Sequence, residues 1–159
     1  MRAWLLACAL MLSGCGYHIV GLGEQAEDPR LVGQLNLTIQ DPYGRQAKML
    51  NQALRDRNWA GEALELEILE FSLERRTLSE LSDRTDYELR ATLTYGVRIA
   101  EEPYLMGPDS LTREGLLTLL DSNSDSLDSE LERLRSDELM NDLIDQMLDR
   151  ISAAADQLP

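Results

Sequence analysis

Residues 87–99, Tyr87-Glu88-Leu89-Arg90-Ala91-Thr92-Leu93-Thr94-Tyr95-Gly96-Val97-Arg98-Ile99, place an apolar residue at every odd position, with Glu88, Arg90, Thr92, Thr94 and Arg98 between them. Successive side chains of a strand point to opposite faces, so this unbroken alternation predicts a long strand with one face buried and leaves little room for a helix. Working upstream, Leu64, Leu66 and Ile68 alternate with Glu65 and Glu67, and then Leu69, Phe71 and Leu73 carry the apolar set in the opposite phase. A slip of one residue would turn the apolar set to the other face, so a bulge is expected near Ile68-Leu69. The stretch Arg75 to Asp86 is polar and reads as the turn that joins these two strands into a long hairpin.

Further upstream, Leu35, Leu37 and Ile39 alternate with Asn36, Thr38 and Gln40 in a short strand that stops at Asp41-Pro42. The period then changes. Ala47, Leu50 and Leu54 share one helical face while Arg45, Lys48, Asn51, Gln52 and Arg55 occupy the other, an amphipathic helix that should end near Trp59 with Gly61 as its stop. Downstream, Glu101-Glu102-Pro103 closes the central strand and Gly107-Pro108-Asp109 makes a turn. The stretch Leu111 to Leu120 suits a strand or a short buried helix, and is read as a strand. Asp121 to Ser129 reads as a Ser/Asp-rich linker, followed by a long helix whose stripe starts with Leu127, Leu131 and Leu134 and continues through Met140, Leu143, Met147, Ile151, Ala154 and Leu158. Asp137, Asn141, Asp145 and Asp149 should face away. The order strand, helix, strand, strand, strand, helix predicts an α+β fold: a two-layer αβ sandwich with a four-stranded, mixed but mostly antiparallel sheet and two helices on one face.

The N-terminus is organised differently. Arg2 precedes the apolar run Ala3 to Leu12, which is far shorter than the ~20 residues of a spanning helix and reads as a signal peptide. Leu12-Ser13-Gly14-Cys15 then has the order of a bacterial lipobox, which directs acylation of Cys15 and cleavage before it. The expected organisation is a removed signal peptide over residues 1–14, a lipidated leader over 15–32, and a single domain over 33–159. Gly16 follows the cysteine in place of the aspartate that retains lipoproteins in the inner membrane, so the outer membrane, on its periplasmic side, is the expected location. Of the two cysteines, Cys8 leaves with the signal and the Cys15 sulfur takes the lipid, so no disulfide is expected.

Removing 14 of the 159 residues leaves 145 and takes Arg2 away, so 29 acidic residues face 14 basic ones. This balance, near −15, excludes nucleic acid as a partner, because phosphate binding needs clustered Lys and Arg. The only histidine, His18, lies three residues from Cys15, so neither a His/Cys metal cluster nor a Ser-His-Asp arrangement can be assembled. Gly21-Leu22-Gly23-Glu24-Gln25-Ala26 matches a dinucleotide fingerprint in form only, since Glu27-Asp28-Pro29 follows where a helix should open. No catalytic residue and no cofactor are therefore assigned. Asp121-x-Asn123-x-Asp125-Ser126, with Glu132 beyond it, matches oxygen positions 1, 3, 5 and 12 of an EF-hand loop. Against calcium stand Ser126 at the glycine position and Asp128 where an apolar residue normally packs. The other reading is a solvated linker that ends in the N-cap of the last helix.

The Cys15-Gly16-Tyr17-His18 start, the Asp86-Tyr87-Glu88-Leu89 strand, and the Met147-Leu148-Asp149-Arg150 and Gln157-Leu158-Pro159 stretches occur in an order that resembles the LptE family of lipopolysaccharide-assembly lipoproteins. The resemblance covers nearly all of the chain after Cys15. It implies a small αβ domain without enzymatic activity that sits inside the outer-membrane β-barrel LptD, helps that barrel fold, and assists delivery of lipopolysaccharide to the surface. It also implies a basic patch for lipid A phosphates, which falls near Glu80 and Ser136 here. The nearest cations are Arg75, Arg76 and Arg84 in the connection, and Arg133 and Arg135 in the last helix. An arginine fork can bind two phosphate oxygens. Two alternatives stand beside it: an envelope lipoprotein with another partner, and a calcium-binding lipoprotein using Asp121 to Glu132.

Overall fold

The computed structural model describes residues 29–155 and residue 158. Four strands, β1 (Leu35–Ile39), β2 (Leu64–Glu80), β3 (Arg84–Arg98) and β4 (Met106–Leu120), form one sheet in the order β1-β2-β3-β4, with helix α1 (Arg45–Asp56) after β1 and helix α2 (Asp125–Ala153) after β4. The fold is α+β and the sheet does not close into a barrel. A helix separates β1 from β2, so those two strands run parallel, whereas β2, β3 and β4 follow one another antiparallel. Residues 1–28, which include the signal peptide, Cys15, His18 and the Gly21 to Ala26 stretch, lie outside the described residues, as do Gln157 and Pro159.

The alternation in β3 sets the inner face of the sheet. Leu89, Ala91, Leu93, Tyr95 and Val97 are fully buried, and Leu64, Leu66 and Ile68 of β2 with Leu111 and Leu117 of β4 extend the same layer. Ala47, Leu50 and Leu54 of α1 and Leu139, Leu143, Ile144, Met147, Leu148 and Ile151 of α2 cover it. Each large aliphatic side chain removed from water there contributes about 1.5–3 kcal/mol, before conformational entropy is set against it. The expected bulge is present, since the β2–β3 register shifts between Ile68 and Glu70. Ile99 falls outside the strand and is exposed, next to Ala100 at a positive φ of 45°.

Gly107-Pro108-Asp109 is not a turn between elements but lies inside β4, where its register with β3 shifts. Four further expectations need correction. The polar stretch Arg75 to Asp86 is not mainly turn: β2 continues to Glu80 and β3 starts at Arg84, leaving Leu81, Ser82 and Asp83 to turn. Both faces are half-exposed there, so the buried-face alternation that marks a strand fades although the ladder persists. Gly61 does not stop α1. That helix ends with Arg57 as its cap and Asn58 at φ 55°, while a Cβ on Gly61 would stand 1.7 Å from the Gly33 carbonyl oxygen, so glycine there allows two chain segments to touch. The linker after β4 is short, because α2 starts at Asp125 behind Ser124, whose hydroxyl accepts the Leu127 N–H; Asp125 and Asp128 in the first turn complement the helix dipole. Within α2, Leu131 packs on the core but Leu127 and Leu134 are exposed.

Candidate functional site

β1 meets β2 along Leu64 to Ile68, so among the described strands the half of the β2–β3 hairpin beyond that point is flanked by β4 alone. Arg75, Arg76 and Arg84 all lie on this distal half. Their positions in the pleat divide them. Arg75 pairs across with Leu89 on the inner face, its Nη1 donates to Glu132 of α2 at 2.6 Å, and its guanidinium lies 4.9 Å from the Tyr87 ring centroid. Arg76 stands on the outer face opposite Glu88, and Arg84 sits at the start of β3 with its Nε 3.9 Å from Asp86.

The two helix arginines point elsewhere. Arg133 pairs with Glu130 and with Asp137, which also binds Arg45 at the start of α1, so it faces the groove between the helices. The Glu130 carboxyl is held below its usual range by the Arg133 guanidinium, whose own proton is held more tightly in return. Arg135 pairs with Glu138 and lies against Gly115 of β4. The structure therefore brings Arg75, Arg76 and Arg84 to one end of the molecule but does not gather all five arginines, and Arg75, Arg84, Arg133 and Arg135 each have a carboxylate within 4 Å. Such half-exposed pairs are worth about 0.2–1 kcal/mol, weak enough for a phosphate to displace the carboxylate from an arginine fork.

The EF-hand-like residues are not arranged as a loop. Asp125 already begins α2, Asn123 donates its amide to Asp128, and Glu132 lies two turns along the helix, bonded to Arg75. Among the described residues no group of three or more His, Cys, Asp or Glu side chains is placed to hold a metal ion. A cleft of about 420 Å³ is an open groove between α1 and α2 lined by Lys48, Gln52, Asp56, Arg57, Asn141 and Asp145. No helix among the described residues is long and apolar enough to cross a membrane.

Among the described residues no helix lies on the outer face of the sheet, and its organisation could not be read from local pattern. Glu65 accepts from Thr38 of β1 and Arg98 of β3, Arg98 also reaches Glu67, and the Tyr104 hydroxyl donates to Glu67. Thr38 and then Arg98 hold the Glu65 carboxyl below its usual range, while the bond to Glu67 raises the Tyr104 phenol. At the distal end Thr118 and Ser79 donate to Asp86 and lower it in the same way, with Arg84 adding a smaller effect. Arg90 bridges towards Glu88 and Glu114. Ser72, Thr92 and Thr112 share one row across the middle. The result is a broad face of ion pairs and hydroxyls, suited to contact with another polar surface. The signal that could have located it is the polar half of the β3 alternation.

Solved structures share this fold. The chain is similar to rare lipoprotein B from Shewanella oneidensis at 22% identity and a TM-score of 0.59, over 79% of this chain and 98% of that one. A minor lipoprotein from Acinetobacter baumannii matches at 20% identity and a TM-score of 0.61, over 77% of this chain and 92% of that one. A lipoprotein B from Nitrosomonas europaea matches at 19% identity and a TM-score of 0.62, over 77% and 83%. No protein-family model and no curated protein sequence matches the chain.

Proposed function

We propose that the protein is a lipoprotein anchored through Cys15 to the periplasmic side of the outer membrane, where it serves as structural plug and assembly factor for the lipopolysaccharide-transport barrel LptD. The observation that carries this reading is the fold, whose match to solved lipoproteins over more than three quarters of this chain agrees with the lipobox at Leu12 to Cys15. The surface adds support: a domain enclosed in a polar lumen needs polar groups around a dry core, and the open sheet face supplies them. Acyl chains contribute about 0.8 kcal/mol per buried CH₂, and several together hold the domain at the membrane where the barrel assembles. Arg75, Arg76 and Arg84 are the proposed contacts for lipopolysaccharide phosphates, with Arg133 and Arg135 as outlying members of the set.

The test is recovery of the protein from detergent-solubilised outer membrane. A large β-barrel should co-purify, and its depletion with loss of surface lipopolysaccharide should follow removal of this protein. Recovery without a barrel overturns the reading and leaves an envelope lipoprotein with another partner. Cys15→Ser should abolish labelling by a radioactive fatty acid, and a variant that still took up label would remove the anchor from the proposal.

A further inference from the structure

The last five residues of β4, Leu116-Leu117-Thr118-Leu119-Leu120, read the same in both directions. β4 is an outer strand of the sheet, and among the described strands only β3 pairs with it. Its other edge therefore carries backbone N–H and C=O groups with no ladder partner, in a segment that is four-fifths leucine. Leu116 is 67% exposed and Leu120 45% exposed. Edge strands are normally guarded by charge, proline or a covering element, and an apolar one is a template for pairing with another strand.

We propose that this edge pairs with the same edge of a second copy, antiparallel about a two-fold axis through Thr118. A two-fold contact must be self-complementary, with residue i meeting j and j meeting i. In an antiparallel ladder opposed residues also share a face, so the sum of their numbers must be even when one strand meets its own copy. The Thr118 register meets both demands. Leu116 opposes Leu120 of the second copy on the outer face, Leu117 opposes Leu119 on the inner face, and Thr118 opposes itself. A register centred on Glu114 or Arg113 would instead set like charges against each other.

Charge supports the same register. One step further along the inner face, Gly115 opposes Asp121 of the second copy. Arg135 occupies the space a Gly115 side chain would fill, since a Cβ there would stand 2.8 Å from its Nε, and that buried Nε has no hydrogen-bond partner. The contact would thus set an aspartate beside a guanidinium that is only partly satisfied by Glu138. Few residues take part, so the area lies below the ~1,600 Å² of a standard stable interface and the dimer is weak and concentration-dependent. It does not require the lipid anchor, and it belongs to protein outside a barrel, since a domain enclosed in a lumen cannot present this edge to a second copy.

Cysteine cross-linking of the purified full chain in detergent, separated from any barrel, tests the register. Thr118 and Thr112 are both exposed on the outer face of β4. Under oxidation, Thr118→Cys should give a covalent homodimer, while Thr112→Cys should stay at the level of the parent chain, which controls for Cys8 and Cys15. Adding Leu116→Arg to Thr118→Cys should reduce the dimer to that level, because the new charge meets Leu120 of the second copy. The pairing is overturned if Thr118→Cys gives no dimer, if Thr112→Cys cross-links equally, if Leu116→Arg has no effect, or if the cross-linked product contains a different protein.

Discussion

Tyr104 covers Gly96: a Cβ built on Gly96 would lie 2.6 Å from the Tyr104 Cδ1 and Cε1 atoms, inside any real contact. The ring crosses the outer face of β3 there, and its hydroxyl reaches Glu67 of β2. Gly96→Ala should therefore expel the ring and cost about 1–3 kcal/mol, the range for overpacking a filled site. In the background of Tyr104→Ala the same substitution meets nothing closer than the Met106 carbonyl oxygen at 3.4 Å, so most of the cost should vanish. Denaturant unfolding of the two single variants and the double variant measures this coupling, and additive effects would refute the contact.

The Glu65 network should be visible in the pH dependence of stability. Thr38 and Arg98 lower the Glu65 carboxyl below its ordinary value of 4.5, so the folded state binds its proton less tightly than the unfolded state. The stability this adds is complete above 4.5 and is lost as pH falls through the lower folded value. Glu65→Gln should be less stable than the parent at neutral pH and converge with it in acid. Tyr104 behaves with the opposite sign. Its phenol is raised above 10.0, so its contribution is complete below that value and is lost as pH rises through the higher folded one. Tyr104→Phe should remove that alkaline component. Melting temperatures across both windows check the two signs.

Leu93→Asp places a carboxylate at a position with no exposure, in the middle of a strand that the long helix α2 covers. An unpaired charge there costs several kcal/mol, comparable to the stability of a whole domain. The variant should lose its cooperative thermal transition by circular dichroism. An unchanged melting temperature would mean that the inner face of β3 is wrongly assigned.

What local sequence could and could not reveal follows from where each element makes its contacts. The β3 alternation and the phase slip at Ile68-Leu69 were readable because a buried face imposes its period on the residues themselves. The distal hairpin was not, since Arg75 to Glu80 and Arg84 to Asp86 are strand residues with little burial to enforce a pattern. Gly61 has the position of a helix stop, but its reason is Gly33, twenty-eight residues away in sequence. The arginines were visible as a group of residues. Their division between Glu132, Asp86, Asp137 and Glu138 is a tertiary fact, and it determines which of them share a surface.

The phosphate proposal predicts a separation between two functions. Arg75, Arg76 and Arg84 lie on the part of the hairpin beyond β1, and none of them belongs to the buried core. Changing all three to alanine should therefore leave the fold intact, although Arg75→Ala frees Glu132 and exposes the Tyr87 ring that the guanidinium covers. Surface pairs of this kind contribute about 0.2–1 kcal/mol, so the melting temperature should fall by only a few degrees. Lipopolysaccharide binding by the purified protein should drop, and should respond to salt less steeply than in the parent, because fewer cations meet its phosphates. Arg133→Ala with Arg135→Ala should have a smaller effect, since those side chains face the helix groove and Gly115. Barrel assembly in cells should persist in the triple variant. If the triple variant bound lipopolysaccharide with the affinity and salt dependence of the parent, the distal arginines would be structural partners of Glu132 and Asp86, and only the assembly role would stand.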